Sequence, residues 1–203
     1  MRQLFASFAI AWTVVPFYSM PVLISMLRAV NVGGHGKIKM DALRALYTSL
    51  KFENPQTYLQ SGNVIFKTSE RNLDAIAKRI QSAIEKKFQC NTDVMLRTTE
   101  DFRAIIKKNP FAKRADVEPG KLVVFFLAAD PGNEAHKAVL DQKFAPEEIH
   151  ATGRELYIYF PNGQGKSRLP LPRIYKLLQT PGTGRNWNSV TNMLEIAETL
   201  QSA

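Results

Sequence analysis

Two glycine turns constrain this chain more than any other feature. Ser61-Gly62-Asn63 separates β-rich runs at 57–60 and 64–67, and Thr152-Gly153-Arg154 separates runs at 149–151 and 156–160. Glycine and asparagine tolerate positive φ, so each stretch reads as a hairpin. A lone hairpin is marginal in water and needs a partner layer. Helical stripes supply it. Leu43, Leu46, Tyr47 and Leu50 recur at helical spacing before the first turn, and Leu73, Ile76, Ala77, Ile80, Ile84 and Phe88 after it. Ser69 is the expected cap of that second helix. The Val22–Leu27 run and residues 93–97 complete a β-α-β-β-α-β order.

The second part of the chain repeats this order. Thr98 with Asp101 opens a connecting helix carrying Phe102, Ile105 and Ile106, which stops before Pro110. The apolar run 122–127 reads as a strand, and a helix starting at 130–133 runs through Leu140. After the second hairpin comes a proline-interrupted segment, 169–178, helical from Arg173 on. The last helix starts near Asn188, with Val190, Met193, Leu194 and Ala197 inward. The expected fold class is therefore α+β: two ferredoxin-like (β-α-β-β-α) halves in tandem, 20–97 and 98–203, plus a C-terminal helix, in one compact unit. In such a half, the loop after the first strand and the hairpin share a sheet edge. That places Asn31, Val32, Gly33 and Gly34 near Ser61, Gly62 and Asn63.

An apolar fraction of 45% allows a core without staples, and a single cysteine, Cys90, excludes an internal disulfide. A reducing, cytoplasmic setting is expected. The apolar stretch at 4–15 is shorter than the ~20 residues a spanning helix needs, so no stable membrane insertion is expected. Residues 1–19 read as an extension from a misplaced start, with Met20 as the true first residue, or as an export segment with a poor cleavage signal. Lys plus Arg outnumber Asp plus Glu by 27 to 18, a net charge of +9. This balance suits a polyanionic partner, and equally suits plain solubility.

Five segments in this order, L-R-A-V-N-V-G-G-H-G-K-I-K-M, Y-L-Q-S-G-N-V-I-F, N-P-F, P-N-G-Q-G-K-S-R-L and G-R-N-W-N-S-V, resemble the uncharacterised bacterial family called domain of unknown function 1697. The likeness runs from Met20 to the C-terminal helix. The resemblance carries the family pattern to Arg28, Asn31, Gly33, Gly34, Ser61, Gly62, Asn63, Gly165, Ser167, Arg185, Asn186, Trp187 and Asn188. It departs at Ala29, Arg168, Pro170 and Pro172. The family brings no assigned chemistry with it.

Residues 31–36 have the makings of an anion cradle: glycines let backbone N–H groups converge ahead of a helix, with Lys37 and Lys39 close by. The plainer alternative is a sharp turn. Gly165-Lys166-Ser167 lacks the first glycine of a P-loop, since Phe160 stands there, leaving an anion contact through Lys166 and Arg168, or a plain loop. Arg185 suits a bidentate contact to phosphate or carboxylate and Trp187 suits stacking on a base, while Asn186 or Asn188 also suits a helix cap. His35, His136 and His150 are too scattered for a metal site, and no cofactor fingerprint is present. The leading expectation is a binding protein for a phosphate-bearing ligand, a nucleotide or RNA. It uses Arg28, Asn31, Gly33, Gly34, Ser61, Gly62, Asn63, Lys166, Ser167, Arg185, Asn186 and Trp187. One alternative is an enzyme acting on a small phosphorylated or carboxylated substrate. It would be clamped by Arg28 and Arg185, and His35 is its only neutral-range base. The other alternative is a protein-interaction domain whose polar motifs hold loops in place.

Overall fold

The computed structural model describes residues 20–32 and 37–203. The 1–19 extension and the glycines at 33 and 34 lie outside the described residues. The first half consists of β1 (Val22–Leu27), α1 (Met40–Ser49), β2 (Glu53–Tyr58), β3 (Asn63–Lys67), α2 (Leu73–Phe88), β4 (Val94–Thr98) and α3 (Thr99–Lys107). The second consists of β5 (Leu122–Leu127), α4 (Gly132–Leu140), β6 (Glu148–Thr152), β7 (Glu155–Tyr159), α5 (Leu171–Leu178), β8 (Gly182–Asn186) and α6 (Trp187–Ser202). Each half forms a four-stranded antiparallel sheet, in the orders β2-β3-β1-β4 and β6-β7-β5-β8. The tandem ferredoxin-like arrangement is present, with the C-terminal helix closing the second half.

Strand β8 was not expected from the sequence. Gly-Thr-Gly-Arg-Asn offers one β-branched residue and no apolar alternation, so propensity speaks against a strand. Its glycines are there because the neighbours leave no room. A Cβ at Gly182 would stand 2.8 Å from the Tyr175 ring and 2.9 Å from Leu127, and one at Gly184 would stand 3.0 Å from the Phe125 ring. Packing overrides propensity here. Other local readings also shift. Asn72, not Ser69, caps α2 by accepting from the Ala75 N–H. The strand read at 57–60 starts earlier, at Glu53, so that Asn54-Pro55 sits inside β2 at a break in its register with β3, as suits proline on an edge strand. Helix α5 starts at Leu171 rather than at Arg173, with Pro172 in its first turn, where a missing N–H costs nothing. The Thr98–Asp101 capping box forms as expected.

Three apolar cores set the layers. Helices α1 and α2 cover the outer face of the first sheet over Leu23, Leu27, Val64, Phe66 and Leu96. Helices α4 and α5 cover the outer face of the second over Val123, Phe125, Leu127, Leu156 and Ile158. The inner faces share one core. Val22, Ile24 and Met26 of β1 meet Leu122, Val124 and Phe126 of β5, together with residues of α3 and α6. The trailing helices cross over. Phe102 of α3 stacks on Phe126 of the other half at 5.5 Å, and Tyr157 donates to the Ile105 carbonyl. Helix α6 packs in return on β1 and β3.

Gly62 in the first hairpin has φ +73°, and a Cβ there would stand 2.9 Å from Cβ of Leu27. Gly62→Ala combines a left-handed conformation with a clash against a buried strand. It is expected to lower the unfolding free energy by about 2 kcal/mol. Urea denaturation at unchanged slope measures this, and a loss below ~0.5 kcal/mol would contradict the steric argument.

Candidate functional site

Arg185 points from β8 into the inner core, opposite Val124, and is 6% exposed. Every one of its five N–H groups has a protein acceptor. Nε donates to Asn63 Oδ1, Nη1 to Thr183 Oγ1 and the Gly184 carbonyl, and Nη2 to the carbonyls of Leu27 and Ser61. Burial pushes its pKa down to about 10, with Tyr175 pulling the other way, so the guanidinium stays charged at neutral pH. All the acceptors except Thr183 and Gly184 belong to the first half. Arg185 therefore fastens one half to the other, and its hydrogen-bonding capacity is used up in doing so.

Arg97 makes the reciprocal connection. It points inward from β4 with its side chain 1% exposed. Nε donates to Glu155 Oε1 at 2.9 Å, Nη1 to the Leu96 carbonyl, and Nη2 to the carbonyls of Leu127 and Arg154. The correspondence runs group by group. Each arginine binds the carbonyl of the residue before it and of the last residue in the opposite half's first strand. Each also binds a hairpin carbonyl and the side chain of the residue that opens the opposite half's third strand. Burial lowers the Arg97 pKa, and Glu155 opposes that shift. Sequence reasoning missed Arg97 and Glu155. The signal was present, since Arg97 has the same strand parity as the buried Met95, which marks a charge aimed at the core.

The loop after β1 and the first hairpin do meet. Asn31, at φ +58°, donates from Nδ2 to the Ile38 and Gln60 carbonyls and accepts the Ile38 N–H. Asn63 Nδ2 donates to the Tyr58 carbonyl and to Ser61 Oγ. Asn31, Ser61, Gly62, Asn63 and Arg185 are thus gathered at one end of the first sheet, and their polar groups bond chiefly to one another. Arg28, half-exposed beside them, pairs with Asp93 at 3.0 Å and lies 5.7 Å from the Tyr175 ring centre. Asn186 caps α6 by accepting the Asn188 N–H and holds the Gly120 carbonyl through Nδ2. Trp187 packs, half-buried, against the shared core.

Lys166 and Ser167 stand elsewhere. Their loop leaves β7 at the end of the second sheet marked by Leu122 and Asn186, and Gly182, with Tyr175 over it, marks the other end. Ser167 Oγ donates to Glu147 Oε1 and accepts the Leu169 N–H, which fixes the loop. Beneath lies a cleft of about 280 Å³ lined by Phe144, Pro146, Glu147, Asn162, Lys166, Arg168 and Leu169. Neither Lys166 nor Arg168 has a side-chain partner among the described residues. No group of three or more potential metal ligands occurs among those residues. None of their helices is long and apolar enough to cross a membrane.

The family model described as "Protein of unknown function (DUF1697)" matches residues 20–157. Among solved structures, the conserved bacterial protein SP0830 from Streptococcus pneumoniae superposes with a TM-score of 0.63 at 18% identity, covering 88% of this chain and 99% of that one. That likeness concerns the fold. No curated protein matches the chain.

Arg185→Leu removes five donors from buried acceptors and is expected to cost about 4 kcal/mol of stability. Arg28→Glu, at a half-exposed pair, is expected to cost less than about 1 kcal/mol. Paired thermal and urea unfolding compares the two, and equal losses would show that Arg185 is no fastening between the halves.

Proposed function

We propose that this chain, which belongs to the DUF1697 family, binds a small phosphate-bearing ligand in the cleft beneath residues 162–170. One observation carries the reading: Lys166 and Arg168 line the same concavity and lack a protein partner, while most other motif residues are bonded to the protein itself. An arginine fork and a lysine point charge are the usual means of holding a phosphate. Phe144, Pro146 and Leu169 supply an apolar wall, and Asn162 adds a donor and an acceptor, which together suit a ring or sugar joined to a phosphate. Glu147 is the one carboxylate in the lining, and it is engaged by Ser167. The enzyme reading finds no histidine in this lining to serve as a base. Binding is therefore favoured over catalysis.

RNA is the second reading, favoured by an uneven charge distribution. Between residues 20 and 107 there are 14 Lys and Arg against 8 Asp and Glu, whereas 108–203 carries 12 against 10. A polyanion on the first half would lose affinity steeply with salt, and a ligand in the cleft much less.

The test is a thermal-shift titration of the full chain with nucleoside monophosphates and with short RNA, at two salt concentrations. At a hundredfold excess over Kd a monophosphate adds ~2.7 kcal/mol. Stabilisation by the monophosphate beyond that given by inorganic phosphate should appear in the wild type and be lost in Lys166→Glu/Arg168→Glu. No stabilisation, or the same stabilisation in the double variant, would overturn the proposal. A salt-sensitive response to RNA alone would move the function to the basic half.

A further inference from the structure

The two arginine fastenings share four corresponding bonds and differ in a fifth, from Arg185 to Thr183, and in their surroundings. On the Arg185 side, Asn192 of α6 reaches across to β2, where its Nδ2 donates to the Tyr58 hydroxyl at 2.7 Å. Ala104 occupies the same place in α3 that Asn192 occupies in α6, each the sixth residue of its helix. Thr152 corresponds to Tyr58, each ending the strand before its hairpin. Where these shorter side chains stand, a cavity of about 170 Å³ opens between α3 and the β6–β7 hairpin.

Its lining is cationic. Arg97, Lys108 and Arg154 face it together with Asp101 and Glu155. Both acids are already engaged: Asp101 accepts the Thr98 N–H in the capping box, and Glu155 accepts Nε of Arg97. The side chains of Lys108 and Arg154 have no bonded partner among the described residues. Arg97 uses four of its five N–H groups, where Arg185 uses all five. A buried guanidinium with a spare donor, flanked by two unpaired cations in a small concavity, differs from lysines scattered on a surface.

We propose that this cavity is a second anion site, taking a phosphate-sized dianion held by Arg154, Lys108 and the spare N–H of Arg97. The site is independent of the cleft beneath residues 162–170. Its occupant would touch α3 from the first half and the hairpin from the second, so binding would tie the halves together and raise stability.

The probe is inorganic phosphate against chloride at matched ionic strength, read by thermal unfolding of the full chain and by phosphorus NMR line broadening. Wild type and Lys166→Glu/Arg168→Glu should both show a raised Tm and broadening. Lys108→Ala/Arg154→Ala, which alters two side chains without bonded partners, should weaken binding at least tenfold in the Lys166→Glu/Arg168→Glu background, where the other cleft is disabled. In the same background Ala104→Asn/Thr152→Tyr, which places the Asn–Tyr pair of α6 and β2 there, should abolish binding while remaining folded. Absence of any phosphate effect in the wild type, or an effect unchanged in Lys108→Ala/Arg154→Ala, would overturn the proposal. Loss confined to Lys166→Glu/Arg168→Glu would assign the signal to the other cleft and overturn this one.

Discussion

Two buried guanidinium groups, each donated by one half to the backbone of the other, are the interaction on which this architecture depends. A buried charge without partners is strongly unfavourable, so each arginine needs carbonyls converging on it from several directions. The end of a first strand, a hairpin and the arginine's own strand supply them, for Arg185 and Arg97 alike. That requirement fixes how the sheets meet. A rotation of one half against the other would strip acceptors from both arginines at once. The apolar inner core provides adhesion without direction, and the arginines provide register.

Much of the fold was legible in the sequence, because period and turn chemistry reflect local physics. The hairpin at Gly62, the α2 stripe from Leu73 to Phe88 and the Thr98 capping box all follow from neighbours close in the chain. Strand β8 was not legible. Its glycines answer to Tyr175, Leu127 and Phe125, contacts that exist only once the sheet has formed. The cap of α2 was misplaced by three residues because Ser69 and Asn72 are both able caps, and only backbone geometry chooses between them.

The candidate site divides along the same line. Sequence reasoning gathered Asn31, Ser61 and Asn63 through the topology of a ferredoxin-like half, and they do lie together, joined by Arg185 from the other half. Sequence could not show that their donors and acceptors point at one another. An arginine beside asparagines and glycines reads alike whether it awaits a ligand or holds a loop. Only the accounting of each N–H tells them apart. The cations left over, Lys166, Arg168, Lys108 and Arg154, are less conspicuous in the sequence and lie in concavities of the folded molecule.

The crossing of α3 and α6 has a consequence for ancestry. A single half, present as two separate copies, could satisfy its exposed inner face by the same exchange, closing as a dimer with a twofold axis. In such a homodimer every substitution appears twice and must suit both places. Fusion into one chain lifts that restriction. Asn63 can then stand opposite Glu155 and Tyr58 opposite Thr152, and a molecule of symmetric design can bridge one of two equivalent places with an Asn–Tyr hydrogen bond and leave the other open.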